Sequence, residues 1–198
     1  MKLNFRKFIT ASQRGFTLIE LVVVVAILGV LIAIVAPNVI GTKDGAKAQL
    51  LIKTAQNAST NWSLIAQSCG TTTTVASNPL PDATKTPADV IFKGASEVHA
   101  TYKNCYSQSK VLALTEVAQP GAAAGTYNIA GYAVDIVGGG TSPLEITYNG
   151  VPENLILLIA QKYNPQQTAL VPAGETIGGV MKYSAVSGTA NVTIIKQI

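Results

Sequence analysis

Hydrophobic residues are distributed unevenly along this chain, in one long run near the N-terminus and in shorter periodic patterns after it. Residues 16–37 read FTLIELVVVVAILGVLIAIVAP and contain a single ionisable side chain, that of Glu20. An α-helix of this length measures about 33 Å, and the hydrocarbon layer of a bilayer is about 30 Å thick. The run therefore predicts a membrane-spanning helix over residues 16–37.

After Pro37 the uniform run gives way to an amphipathic pattern. Apolar residues recur at steps of four and three, which is the spacing of one helix face: Leu51, Ala55, Ala58, Trp62 and Ile65. We predict that residues 38–67 continue the helix and pack this face under a β-sheet.

The join between these two helical halves is predicted to be their weakest point. Pro37 cannot donate a backbone hydrogen bond to Ala33, and Gly41 is a poor helix former. We therefore expect a helix break at Pro37 and Gly41.

Residues 68–198 are predicted to form a globular head. A polar connection over residues 68–109 contains the start signals of one short helix, with Thr86 as N-cap, Pro87 as first residue and Asp89 in the first turn, ending near Gly94. Residues 110–198 then predict a sheet with an inserted helix: strands at 111–117, 127–137 and 144–148, a helix at 153–163, and strands near 177–186 and 190–195. This order indicates an α+β fold, a long N-terminal helix packed on an antiparallel sheet.

The composition, 48% hydrophobic and 12% charged residues, excludes a disordered polyelectrolyte. The net charge of +4 is carried entirely by residues 1–15, which hold Lys2, Arg6, Lys7 and Arg14 and no acid. Basic residues before an apolar run favour a cytoplasmic N-terminus, with the head on the other side of the membrane. The chain from residue 16 onward is formally neutral, so its charge gives no reason to expect a nucleic-acid partner.

Two simpler interpretations of the apolar run stay open. A cleaved secretory signal needs small residues before its cut, but Ile34 lies three residues before the one plausible site and Pro37 follows it. A plain signal anchor fits the hydropathy but leaves Glu20 unexplained. An acidic side chain deep in a bilayer costs about 2.5 to 3.5 kcal/mol on insertion scales.

The string from Arg14 to Glu20, RGFTLIE, resembles the class III signal of type IV prepilins. The shared features are a short basic leader, Gly before the cut, Phe after it, Glu as the fifth residue beyond it, and Pro at the end of the run. The resemblance implies that residues 1–15 are a leader, cut off between Gly15 and Phe16, and that the new amine of Phe16 is methylated. It also implies that Glu20 pairs with the Phe16 amine of a neighbouring subunit and so sets the register of assembly.

The same resemblance implies the partners and the location. These are a homopolymer of identical subunits, a prepilin peptidase and methylase, an inner-membrane assembly platform with its ATPase, and a secretin. The precursor would sit in the inner membrane with its head in the periplasm and would then enter an extracellular pilus fibre. Pilins of this family can melt and extend near the residues corresponding to Pro37 and Gly41, so we expect local unfolding there under tension.

Cys69 and Cys105 both precede the first predicted strand, whereas many pilins close a loop near the C-terminus. In an oxidising periplasm they have one intrachain pairing, and two free thiols are the alternative. A Cys69–Cys105 disulfide would close the helix-to-sheet connection.

Little in the sequence points to catalysis, a cofactor or a metal. His99 is the only histidine, so a serine or cysteine triad and a zinc site are both disfavoured. Residues 138–140 are a glycine run better explained by a turn than by a phosphate loop. We assign no catalytic residue, no metal ligand and no cofactor.

Three other functions compete with that of a pilus subunit. A type II secretion pseudopilin shares the same N-terminal signal, but such heads commonly hold calcium with acidic residues late in the chain, and here Asp135, Glu145, Glu153 and Glu175 are scattered. A minor or competence pilin that binds DNA would need a basic cluster on its head. A membrane-anchored hydrolase would need a catalytic constellation. The type IVa or IVb subtype and the use of the fibre, in adhesion, motility or another surface function, stay open.

Overall fold

The structure, a computed structural model, describes residues 17–184 and 187–197, and for residues 33–42 it describes the backbone alone. The chain divides into two units, Met1–Thr42 and Lys43–Ile198. The predicted leader over residues 1–15 and the predicted cleavage site at Gly15 and Phe16 lie outside the described residues.

The first helix, α1, runs from Leu18 to Cys69. Its helical backbone continues through Pro37 and Gly41, so the predicted break is not seen in the single chain, and melting under tension stays a prediction. Among the described residues, no helix combines the length and hydropathy that crossing a bilayer requires. The spanning helix predicted over residues 16–37 is therefore not shown.

The second half of α1 has the predicted buried face. Ala48, Leu51, Ala55, Trp62 and Ile65 are each at most 1% exposed and belong to the main hydrophobic core. Two hydrogen bonds between side chain and backbone fix this part of the helix. The Tyr148 hydroxyl donates to the Leu51 carbonyl oxygen at 2.8 Å, and Trp62 Nε1 donates to the Thr73 carbonyl oxygen at 2.7 Å.

In the part of the chain that the structure describes, six antiparallel strands form one sheet in the order β1-β2-β3-β4-β6-β5. The strands are Ala118–Pro120 (β1), Tyr127–Ile129 (β2), Tyr132–Gly138 (β3), Leu144–Pro152 (β4), Met181–Tyr183 (β5) and Thr189–Lys196 (β6). The described residues also form the α-helices Pro87–Lys93 (α2), Lys103–Ser109 (α3) and Glu153–Tyr163 (α4). The α+β arrangement of a long N-terminal helix and an antiparallel sheet is confirmed.

Several element predictions are confirmed and others are wrong. Helix α2 has the predicted caps, with Thr86 and Asp89 in a reciprocal capping box and Gly94 after its last residue, and α4 matches the predicted helix. The strand predicted at residues 111–117 is wrong. Its backbone turns back onto α2, where the Leu114 amide donates to the Ile91 carbonyl oxygen at 3.1 Å, and pairing begins at Ala118.

The other differences concern where strands and helices end. The strand predicted at 127–137 is two strands, because Ala130 and Gly131 adopt φ of 54° and 91° and make a two-residue hairpin turn. The strand predicted near 177–186 is shorter and includes only Met181–Tyr183. Helix α3 and two short 3₁₀ turns occupy the connection, in which the sequence predicted one helix.

The glycine run at residues 138–140 is the turn between β3 and β4 and a point of close backbone approach. Its members have φ of 88°, 83° and 71°, a region that side chains rarely adopt. The Val75 amide donates to the Gly138 carbonyl oxygen at 2.9 Å, and the Gly140 amide donates to Thr73 Oγ1 at 2.9 Å. A Cβ atom on Gly139 would collide with the Thr73 carbonyl group. The run therefore fastens the segment after α1 to the sheet.

Replacing Gly139 with alanine is expected to lower the free energy of unfolding by about 2 kcal/mol or more, because it adds a backbone clash to the strain of a positive φ. Gly131→Ala is the matched control, since Gly131 has φ of 91° but no atom within 4 Å of the place that an alanine methyl group would take. We expect Gly131→Ala to lower the free energy of unfolding by about 1 kcal/mol. Urea denaturation measures the free energy of unfolding of both variants. An equal decrease in the two would contradict the close approach of Gly139 to the Thr73 carbonyl group.

Candidate assembly site

Three hydrogen bonds between Thr17 and Glu20 stabilise the start of α1. The Glu20 carboxylate accepts from the Thr17 amide and from Thr17 Oγ1, both at 2.9 Å, and the Glu20 amide donates to Thr17 Oγ1 at 3.3 Å. This is a capping box, which satisfies backbone donors that the first helical turn leaves free. The sequence already shows the Thr-x-x-Glu spacing of a capping box. Glu20 was interpreted from the prepilin signal alone, and the capping box was not predicted.

Glu20 therefore has a local structural task as well as the predicted assembly task. Its side chain is exposed, and it has no ion-pair partner among the residues that the structure describes. The carboxylate lies in the first turn of α1, where the helix dipole favours negative charge. The capping box thus holds one acidic group in a defined place at the N-terminal end of an apolar helix.

The apolar side chains that follow Glu20 are open in the single chain. From Leu18 to Ile32 the large hydrophobic residues are 50 to 81% exposed. They cover the helix on all sides rather than along one stripe, because consecutive residues such as Leu21, Val22 and Val23 are all exposed. Continuous apolar surface of this extent marks a contact with lipid or with other protein. Thr17, Glu20 and this surface together form the candidate assembly site.

A disulfide closes the connection in the second unit. Cys69, the last residue of α1, is bonded to Cys105 in α3, with a Cα–Cα distance of 5.0 Å. The predicted pairing is confirmed in the structure. It fastens the end of α1 to the connection by a covalent bond, and Cys69 also packs against the main core.

A buried carboxylate holds α2 against the sheet. Asp89 is 2% exposed and accepts hydrogen bonds from the Thr86 amide at 2.8 Å, from Thr86 Oγ1 at 2.9 Å and from the Tyr127 hydroxyl, with Lys93 Nζ at 3.5 Å. Burial alone would raise the pKa of Asp89, but the hydrogen bonds from Tyr127 and Thr86 and the charge of Lys93 outweigh it and lower the pKa. The ionised form is thus part of the fold.

The stability of the second unit should depend on this group at low pH. Because the pKa of Asp89 is lower in the folded chain, its contribution is present above the unfolded-state pKa of about 3.9 and is lost as the pH falls through the folded-state value. Urea unfolding between pH 7 and pH 2 measures this. We expect Asp89→Asn to be less stable at pH 7 and to lose less stability on acidification, and parallel pH profiles would contradict this assignment.

The remaining residues singled out from the sequence are dispersed. Within residues 17–184 and 187–197, no group of three His, Cys, Asp or Glu side chains could hold a metal ion. His99 accepts a hydrogen bond from the Thr101 amide at 3.4 Å and caps a 3₁₀ turn. Asp135 accepts from Asn149, and Glu145 pairs with Lys182 at 2.7 Å.

Comparison with known proteins locates the similarity at the N-terminus. Residues 10–36 match a family model described as the prokaryotic N-terminal methylation motif. The chain is similar to the type II secretion system core protein G of Klebsiella michiganensis, with 51% identity over 41 residues, 21% of this chain and 29% of that protein. The same protein from Escherichia coli (strain K12) is 52% identical over 40 residues, 20% of this chain and 28% of that protein.

The similarity to these relatives covers about a fifth of this chain. A third relative, the core protein G of Dickeya chrysanthemi, is 57% identical over 37 residues, 19% of this chain and 24% of that protein. The chain thus spans less than a third of the length of the curated relatives it matches. No solved structure matches it. The resemblance read from RGFTLIE is therefore confirmed for the N-terminal segment, which contains Gly15, Phe16 and Glu20.

Proposed function

We propose that this chain, whose N-terminal segment is that of a type IV pilin-like prepilin, is a structural subunit of an extracellular type IV pilus. A prepilin peptidase cuts it between Gly15 and Phe16, the new amine is methylated, and the subunits polymerise through their N-terminal helices. The chain is in this proposal a substrate of processing enzymes and not an enzyme. Before assembly it is anchored in the inner membrane with its head in the periplasm.

The observation that carries this proposal is the combination of the methylation motif with the exposed apolar start of α1. The motif covers residues 10–36, and the large hydrophobic residues from Leu18 to Ile32 are at least half exposed in the single chain. Lipid and the helices of other subunits are environments of similar polarity. A subunit can therefore move from the membrane to the fibre without exposing this surface to water.

Glu20 gives the polymer its register in this mechanism. In an apolar fibre core a lone carboxylate is costly, and the methylated amine of Phe16 in a neighbouring subunit is a cation at the matching end of the helix. A pair forms in one relative position of the two helices, so the charges select that position. The capping box with Thr17 holds the carboxylate ready before the pair is made.

A type II secretion pseudopilin is the second candidate, because the relatives of the N-terminal segment are named as core proteins of that system. Those relatives match about a fifth of this chain, and pilins and pseudopilins share the same N-terminal signal. The dispersed positions of Asp135, Glu145, Glu153 and Glu175 favour the pilus, since a calcium site needs several oxygen ligands in one place.

Surface shearing separates the two candidates. Cells that express the chain are sheared, and the released material is inspected by electron microscopy and identified by peptide mass spectrometry. The pilus proposal predicts filaments built from this chain, absent from a strain that lacks its gene. Retention of the whole chain in the cell envelope at native expression, together with loss of protein secretion in that strain, would support the pseudopilin instead.

A further inference from the structure

The second half of α1 carries three exposed lysines. Lys43, Lys47 and Lys53 are all exposed, and among the described residues none of them takes part in an ion pair. Lys43 and Lys47 are four residues apart, so their side chains lie on one face of the helix, about one turn from each other. Like charges at this spacing destabilise a helix slightly, and an anion placed between them would remove that cost.

The acidic residue nearest to these lysines in the sequence is directed elsewhere. Asp44 Oδ2 accepts a hydrogen bond from Asn154 Nδ2 at 2.9 Å, and Asn154 belongs to α4. Asp44 is thus engaged with the rest of the second unit and forms no ion pair with Lys43 or Lys47. The two ammonium groups are therefore available to an anion outside this chain.

The position of the lysines along the chain indicates where that anion lies. In the proposed function the apolar run 16–37 is in the inner membrane. Lys43 and Lys47 follow Pro37 by six and ten residues, which in a helix measure about 9 and 15 Å. The headgroup layer on each side of a bilayer is about 5 to 8 Å thick, and charges act over a further Debye length of about 8 Å. Both lysines fall within that range, whereas Lys53, about 24 Å of helix beyond Pro37, does not.

The direction of helical side chains favours the same location. The Cα–Cβ bonds of an α-helix tilt toward its N-terminus, which for α1 is the end held in the membrane in the proposed function. A lysine also has a flexible four-carbon stem, with which its ammonium group reaches back to the polar surface of a bilayer. The ammonium groups of Lys43 and Lys47 can therefore lie nearer to the headgroups than their Cα atoms do.

We propose that Lys43 and Lys47 bind the phosphate groups of anionic phospholipids at the periplasmic surface of the inner membrane. The inference rests on the proposed function and names a lipid partner of the subunit before assembly. Each lysine near an anionic surface strengthens membrane binding, and these two act together because they share one face of α1. The contacts are broken when the subunit leaves the membrane, so they oppose its premature extraction.

Native mass spectrometry of the full-length chain in detergent, with phosphatidylglycerol or phosphatidylcholine added, tests the lipid contact. Lys43→Gln/Lys47→Gln should retain about fivefold less phosphatidylglycerol than the unsubstituted chain, with no change in phosphatidylcholine. Lys53→Gln is the matched control and should retain as much of both lipids as the unsubstituted chain. Because the basic leader is the same in all three chains, its own attraction to lipid cancels in the comparison.

The outcomes separate this contact from the proposed function. Equal retention of phosphatidylglycerol by the double variant and the unsubstituted chain would overturn the lipid contact. An equal loss in Lys53→Gln would also overturn it, because the effect would then be one of net charge. Fewer filaments from the double variant with unchanged lipid retention would assign the lysines to a contact with a second copy instead. If the unsubstituted chain is absent from the membrane fraction, the proposed function fails and the lipid contact fails with it.

Discussion

Replacing Glu20 with glutamine is expected to reduce the yield of assembled filaments about 100-fold or more, while the amount of chain in the membrane stays unchanged. Removing one partner of a buried ion pair typically costs about 3 to 5 kcal/mol, and each 1.4 kcal/mol is a factor of ten in an equilibrium constant. Glutamine keeps an oxygen that accepts hydrogen bonds in the capping box with Thr17. The variant therefore removes the charge and retains the start of α1.

The matched variants separate charge from helix capping. Glu20→Ala removes both and should assemble no better than Glu20→Gln. Glu20→Asp keeps the charge on a shorter side chain, and we expect it to retain more assembly than either. Filament yield is measured by quantifying sheared protein against the membrane fraction of the same cells. A Glu20→Gln variant with unchanged filament yield would show that the carboxylate does not set the register.

Loss of the Cys69–Cys105 disulfide is expected to lower the free energy of unfolding by about 3 to 4 kcal/mol. The bridge joins residues 36 positions apart, and in the chain-entropy model a closed loop of this size stabilises the folded state by about that amount. For a chain of this size the midpoint of thermal unfolding should fall on the order of 10 °C. The double variant Cys69→Ser/Cys105→Ser is preferred, because it leaves no single thiol for intermolecular pairing.

The control for this prediction is the unsubstituted chain with and without reductant. Reduction should destabilise that chain by the same amount and should leave the double variant unaffected. Mass spectrometry after alkylation without reductant should find Cys69 and Cys105 unmodified. Alkylation of Cys69 under those conditions, or equal thermal midpoints for the two proteins, would contradict a stabilising bridge.

Local signals in the sequence predicted much of the fold. The stripe that includes Leu51 and Trp62 is a helix face of regular spacing, and it is buried as expected. Thr86, Pro87 and Asp89 define the start of α2 through interactions over three residues. Two cysteines in one chain have a single intrachain pairing, which the structure contains. Such features need no knowledge of the distant parts of the chain.

The features that sequence reasoning missed depend on distant partners. The segment 111–117 has the alternation of a strand, but a strand also needs a neighbouring strand to pair with. Here the Leu114 amide donates its hydrogen bond to the Ile91 carbonyl oxygen in α2 instead. The bond from Tyr127 to Asp89 joins residues 38 positions apart and was not predicted. The position of β6 between β4 and β5 is likewise determined by tertiary packing. The capping box at Thr17 and Glu20 was readable from its spacing.

The sequence predicted the two parts of the candidate assembly site, the signal motif and the exposed apolar surface of α1, to different extents. Gly15, Phe16 and Glu20 stand in one short motif, and the family model over residues 10–36 confirms that motif. The exposure of the large hydrophobic side chains from Leu18 to Ile32 in the single chain required the structure.

Tandem mass spectrometry of the N-terminal peptide from sheared, purified filaments tests the central claim most directly. If the chain is a processed subunit of a pilus, the peptide begins at Phe16, carries one methyl group on its amine and contains Glu20 unmodified. Filaments whose subunits still contain residues 1–15, or surface filaments in which this chain is absent, would contradict the account.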